Sequence, residues 1–484
     1  MKKISVKTFY LIGIISIGLI GLAIGSTYAM FTTSAEINNP IAINTTLGSE
    51  NEIIETIDVK VPAGEIKTFT LTINNTSSST LNYVTWYSTT SSNVLSGVKL
   101  SNADSSSPVG TISSGSSKVI YVQIKNQDSS SIDVTIGISS DANNVVLSSS
   151  MNQVNNEELY YILAEYLTVM YTNAEKTKVT NNSIEYNYAT SVSLMTDQKG
   201  SSSTSIDSGN IRYYGASPNN YIYFNCSDYS NQSDSTCEKW RIIGLFDGKV
   251  KIMRNEIIGS YAWDNKNILT GALREHGKND WSAARLMKLL NPGYESEKTG
   301  GSLYYNSGSG NCYSGKNNAT TSCDFTSTGI KNDTTKNLIS DTLYSLGGST
   351  TYSIYSTQMY DYERGTTVYS GRPTSWTGKI GLAYPSDYGF AADFRNCTQD
   401  LDNYDNSECA SYNWMEPIIA PNYGALITPY PDTSYTVWRI NINGGVGYDT
   451  AASTYGIVPV LYLNADTIIK TWEGTEDSPF QLKI

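Results

Sequence analysis

Six cysteines in three close pairs constrain this chain most: Cys226 with Cys237, Cys312 with Cys323, and Cys397 with Cys409. Each intervening segment is rich in Ser, Asn, Asp or Gly, as exposed loops are. Many pairings are formally open, but the clustering makes neighbour-to-neighbour bridges the most economical. A disulfide closing a loop of this size stabilises a fold by roughly 2–3 kcal/mol and persists only in an oxidising environment. Zinc is disfavoured, because no pair has the short gap of a zinc knuckle and the only histidine is His276.

The N-terminus points to the same compartment. Lys2, Lys3 and Lys7 precede an uncharged stretch from Thr8 to Ala35, most apolar between Phe9 and Ile24. A positive flank, an apolar run and small residues after it make a secretory signal. Residues 9–31 are also long enough to span a bilayer, which takes ~20 apolar residues, and the lysines would keep that end cytoplasmic. Residues 1–30 therefore read as a signal peptide cut after Ala29 or as a retained transmembrane anchor; both readings stay open.

At 484 residues the chain should hold two or three domains. Its net charge is −12, with no basic run beyond the N-terminus, which argues against nucleic acid as a partner. Only 16% of residues are charged, so the surface is polar rather than charged.

Residues 36–148 alternate with period two: Phe69, Leu71 and Ile73, then Ile120, Val122 and Ile124, then Ile132, Val134, Ile136 and Ile138. That pattern predicts strands with one buried face. The set Gly64, Lys67, Phe69, Leu71, Ile73, Leu81 and Tyr83 is echoed 51 residues later by Gly115, Lys118, Ile120, Val122, Ile124, Ile132 and Val134. Two such units with flanking strands predict an all-β, Ig-like sandwich serving as a stalk.

Residues 155–209 read as an amphipathic helix and a polar connector. Asn155 or Asn156 is its candidate cap, Leu159, Ile162, Leu163, Tyr166, Leu167 and Met170 its apolar face, and the connector starts near Thr172. Residues 210–484 read as mixed α+β. Asp247-Gly248 marks a tight hairpin between Trp240–Phe246 and Lys249–Arg254. Asn279 or Asp280 is expected to cap a helix ending at Asn291-Pro292-Gly293, and a second helix is expected over 335–346. Strands close the chain at 425–428, 436–442 and 456–463.

Four segments carry a resemblance: 239–254, 279–293, 362–388 and the ending Tyr455-Gly456-Ile457-Val458-Pro459-Val460-Leu461-Tyr462-Leu463. They look like an uncharacterised domain family of Gram-positive (Bacillota) surface proteins, whose usual end is similar to 474–482 here. The element order further resembles the C-type-lectin-like fold shared by formylglycine-generating enzymes. That resemblance implies a last strand paired with the first hairpin and the domain's ends brought together. Residues 25–35 are similar to the signal region of camelysin-type and biofilm-fibre proteins.

The family supplies no activity to carry over. His276 lies in a polar turn between Glu275 and Gly277, a poor setting for a catalytic triad, and paired cysteines leave no reactive thiol. No pair among Glu256, Asp280, Asp361, Glu363, Asp387 and Asp393 is brought together by sequence as glycoside hydrolysis requires. Enzymatic function is therefore not expected. Binding has more material: Tyr360, Tyr362, Trp376, Tyr384 and Tyr388 with Asp387 are the residue types that hold sugar rings, or else they fill a core. Asp400, Asp402, Asp405 and Glu408 crowd one cysteine loop and are candidate calcium ligands, or simply a solvated acidic loop. The expectation is a non-enzymatic surface or secreted protein that binds a glycan or protein through its C-terminal domain. A polysaccharide hydrolase and a structural matrix subunit are the competing classes.

Overall fold

The computed structural model describes residues 41–47, 52–99, 107–141, 143–197, 209–265, 272–312, 321–471 and 473–484. The candidate signal or anchor, residues 1–30, and the span 9–31 lie outside them. Among the described residues no helix is long and apolar enough to cross a membrane. The chain divides into two compact units, Met1–Tyr160 and Tyr161–Ile484.

The first unit is built from β1 (Ile41–Leu47), β2 (Glu52–Val61), β3 (Ile66–Asn75), β4 (Leu81–Thr89), β5 (Val94–Val98), β6 (Val109–Ile112), β7 (Ser117–Asn126), β8 (Ile132–Asp141) and β9 (Asn152–Gln153). One sheet runs β1-β3-β7-β5 and the other β2-β8-β4-β6, with β9 also beside β4. All pairings are antiparallel except β1 with β3. The period-two residues Phe69, Leu71, Ile73, Ile120, Val122, Ile124 and Ile136 point from both sheets into one buried cluster. Each such side chain contributes about 1.5–3 kcal/mol on full burial.

The 51-residue echo is a structural duplication. Gly64 and Gly115 both adopt φ 70°, the left-handed conformation that glycine takes without steric cost. Copy for copy, the Val61↔Ile132 pairing at one end of the second sheet is matched by Ile112↔Leu81 at the other. In the first sheet β3 and β7, the equivalent strands, pair with each other. The pairing therefore has the symmetry of a two-fold through the middle of the sandwich.

In the second unit a helix, α1 (Leu163–Asn173), buries Leu163, Tyr166 and Leu167, but Ile162 is not on its face. Tyr161–Ile162 instead pairs with Ile468–Ile469, so the helix starts later than Asn155 or Asn156 would set it. Strand pairing near the chain's end outcompetes the local helix pattern. The expected connector is also ordered strand: β10 (Thr177–Asn181), β11 (Ile184–Ala189) and β12 (Leu194–Thr196). These continue through β13 (Ile211–Tyr213) into a nine-stranded sheet. Its other members are β14 (Tyr221–Phe224), β15 (Glu238–Phe246), β16 (Lys249–Arg254), β17 (Ile380–Gly381) and β21 (Val460–Tyr462). The β15–β16 turn takes positive φ at both Asp247 and Gly248, as a tight two-residue hairpin needs. Late strand β21 pairs with β16 of that hairpin, and Ile468–Ile469 and Leu482–Lys483 bring the unit's two ends together. A separate three-stranded sheet holds β18 (Ala425–Pro429), β19 (Thr436–Ile440) and β20 (Val446–Thr450).

The two further helices expected in this unit are shorter than their patterns. Asp280 precedes a 3₁₀ turn, Trp281–Ala283; Ala284 is extended, and only Arg285–Leu290 (α2) is α-helical. Its Arg285 N–H donates to Asp264 Oδ1 at 3.3 Å, so the acceptor comes from a distant segment rather than from Asp280. The second helix, α3 (Asp333–Leu338), is capped by Asn332, whose Oδ1 accepts from Thr335 N at 2.9 Å. It stops because Thr342–Ser345 forms a strand with Ser375–Gly378, which buries Tyr344 against Trp376.

All three nearest-neighbour disulfides are present: Cys226–Cys237, Cys312–Cys323 and Cys397–Cys409. Three bridges in one chain suit an oxidising, extracellular environment.

Candidate functional site

The six residues expected to line a ligand surface do not form one. Tyr384, Asp387 and Tyr388 are buried, at 1%, 1% and 0% exposure. They belong to α5 (Pro385–Phe390) and its cap, which follow α4 (Ser356–Glu363). Pro385 at the first position and Asp387, whose carboxylate accepts from Tyr384 N at 3.0 Å, set the start of α5. Trp376 packs on Tyr344 and Trp281 at 5.4 and 6.0 Å between ring centres, so it serves the core. Tyr360 lies under the Arg212 and Arg364 guanidiniums, and its hydroxyl accepts from Asn210 at 3.1 Å. Of the six, Tyr362 is the one that is well exposed, at 43%.

Asp387 instead sits in a buried ionic centre. Arg212 of β13 donates to Asp197 at 2.5 Å and to Asp387 at 2.9 Å, and Lys251 of β16 meets the other Asp387 oxygen. Nearby, Glu363 pairs with Arg364 and accepts from the Ser386 amide at 2.9 Å and its hydroxyl at 2.5 Å. Phe246 and Phe390 lie 4.5 and 4.6 Å from the Arg212 guanidinium. Burial alone would raise the Asp387 pKa, but Lys251, Arg212 and Arg364 outweigh it and hold the carboxyl at about 2. Burial lowers Lys251 to about 8, with Asp387 opposing, and raises Glu363 to about 7 against Arg364 and Ser386. Each charge has an opposite partner, the condition under which such groups survive in a core.

The acidic loop is likewise engaged. Asp400 accepts from Asn403, Asp405 accepts from Asn443 at 3.1 Å, and Asp402 hydrogen-bonds the Tyr352 hydroxyl. Glu408 is exposed in the first turn of Ser407–Ala410. Among the described residues, no three His, Cys, Asp or Glu side chains are grouped to hold a metal ion, so these four do not assemble as calcium ligands. His276 packs against Tyr435, with ring centres 4.7 Å apart and the planes tilted by 31°.

A different aromatic group reaches the surface, on the β18–β19–β20 sheet. Trp438 of β19 and Tyr448 of β20 are cross-strand partners, so their side chains share a face. Tyr430, just after β18, stacks on Tyr448 at 4.4 Å, and Tyr352 stands edge-on to Tyr448 at 5.3 Å. Trp438 is fully buried beneath them and Tyr430 is 8% exposed, while Tyr352 and Tyr448 show 37% and 42% of their surface. Polar groups border the Tyr352 hydroxyl: Asp402 hydrogen-bonds it, and the Arg439 charge acts on it. Burial, with Asp400 and Asp405 adding to it, raises the Asp402 pKa. These rings are not grouped in the sequence because Tyr352 joins from a distant loop; the signal present there is one aromatic in or just after each of the three strands, Tyr430, Trp438 and Tyr448.

Comparison of the chain with protein-family models, with curated proteins and with solved structures gives no match.

Proposed function

We propose that this chain is an exported bacterial surface protein that recognises a glycan, without covalent chemistry on it, through the exposed Tyr352–Tyr448 pair. The first unit is read as an Ig-like stalk and the second as a C-type-lectin-like head of the Gram-positive surface-protein type. Residues 9–31 either tether it to the membrane or are removed on export. One observation carries the reading: the half-exposed rings of Tyr448, on the sheet, and of Tyr352, from a loop, are backed by the buried Trp438 and by Tyr430. Aromatic faces of this kind take the apolar C–H face of a pyranose, while neighbouring carboxylates and amides take its hydroxyls. Support fixed in advance lowers the cost of ordering the site on binding.

The exported protein should be retained by a wall or capsular polysaccharide in pull-downs, and Tyr448→Ala should release most of it, about tenfold in affinity for one lost stacking contact. New reducing ends appearing during the incubation would favour a hydrolase instead.

A further inference from the structure

We propose that Lys251 and Asp387 become joined by an amide bond between their side chains. Lys251 Nζ is in hydrogen-bond contact with Asp387 Oδ2, and both side chains are fully buried. The rings of Tyr384, Tyr462 and Phe246 surround the ammonium at 4.5, 5.3 and 5.4 Å, so bulk water does not hydrate it. A dry setting narrows the gap between an ion pair and its neutral form. Burial lowers the Lys251 pKa to about 8 and favours the free amine, while the cations that hold Asp387 at about 2 favour the carboxylate, so the neutral pair is the minor form from which the reaction proceeds. Arg212 Nη1 donates to Oδ1 at 2.9 Å and Tyr384 N donates to Oδ2 at 3.0 Å, which fixes the carboxyl against the amine.

The step is a dehydration that balances within the pair. The ammonium passes a proton to Oδ2, leaving a neutral amine beside a carboxylic acid. Nζ adds to Cγ, and the negative charge that grows on Oδ1 falls where Arg212 already donates. Oδ2 takes a second proton from the nitrogen and leaves as water, the C–O bond breaking as the C–N bond is retained. The amide keeps one N–H, and no outside reactant is consumed. Proximity supplies the rate, since the two groups are held in contact by the fold. Charge balance survives: Arg212 keeps Asp197, and Arg364 keeps Glu363.

The bond would do what the disulfides do not. Those close loops of 11, 11 and 12 residues, whereas Lys251 and Asp387 are 136 residues apart and tie β16 to α5. A cross-link over that separation constrains the unfolded chain more than any short loop does.

The test is peptide mapping of the folded, full-length protein after denaturation, reduction and trypsin digestion. The expected result is a branched peptide pair carrying Lys251 and Asp387, lighter than its two parts by one water, with no cleavage after Lys251. Lys251→Arg should restore the linear Asp387 peptide. Stoichiometric recovery from the wild-type protein of a peptide ending at Lys251 and of an unmodified Asp387 peptide would overturn the proposal, and neither measurement depends on a variant folding.

Discussion

Asn75 and Asn126 are buried at 1% and 0%, and each turns its carboxamide to the same task. Asn75 Nδ2 donates to Ile112 O and Ser79 O at 2.9 and 2.8 Å, and its Oδ1 accepts from Ser77 N at 3.0 Å. Asn126 repeats this, copy for copy, with Val61 O, Ser130 O and Asp128 N at 2.9, 2.8 and 2.8 Å. Each amide thus closes its own turn and bonds the end of a strand in the opposite sheet. Asn75→Ala and Asn126→Ala should each cost about 2 kcal/mol by leaving a buried carbonyl unpaired, and the two losses should match. Hydrogen exchange across β3 and β7 in the full chain would read this out; a neutral result at either position would break the equivalence. The glycines and apolar positions of the repeat are legible in the sequence but these asparagines are not, because Asn in a Ser-rich stretch looks like any turn residue. The same blindness hid the fate of Tyr384, Asp387 and Tyr388: an aromatic–acid cluster has the same letters whether it faces solvent or a buried lysine.

Among elements, legibility followed how local the determinants were. The Asp247-Gly248 hairpin and the period-two strands were readable because their cause lies within a few residues. The helices were not, since Ile162 was claimed by pairing with Ile468, and Thr342–Ser345 by the strand Ser375–Gly378. Close contact between β4 and β8 offers a further check. A Cβ on Gly137 of β8 would lie 2.4 Å from the Trp86 indole, whose Nε1 donates to Ser139 at 2.9 Å. Gly137→Ala should therefore push the ring off the strand and destabilise the sandwich by about 1–3 kcal/mol. Urea unfolding of the variant beside wild type measures it, and an unchanged midpoint would show that the indole moves freely.

For the molecule as a whole, buried carboxyls set a pH dependence. Burial raises Asp264 from 3.8 to about 6 and Glu363 from 4.5 to about 7. Both hold a proton more tightly folded than unfolded, so their stabilisation is complete below pH 3.8 and 4.5 and is lost as pH rises through 6 and 7. Before any bond to Lys251 forms, Asp387 works in the opposite sense, contributing above its ordinary 3.8 and losing that contribution as pH falls through about 2. The melting temperature should peak in mild acid and decline toward pH 7.5, and Glu363→Gln should flatten the decline by ~3 kcal/mol. A profile that rises steadily from pH 5 to 7.5 would contradict this. At this scale a β-rich chain with three stapled loops is legible in the sequence, whereas the face proposed to bind a glycan exists only where the fold brings Tyr352 and Tyr448 together. The most direct measurement is a glycan array probed with wild type and with Tyr352→Ala/Tyr448→Ala, both checked for native circular dichroism. The recognition account predicts discrete glycan hits that vanish in the folded double variant. Hits that persist unchanged in that variant would contradict it.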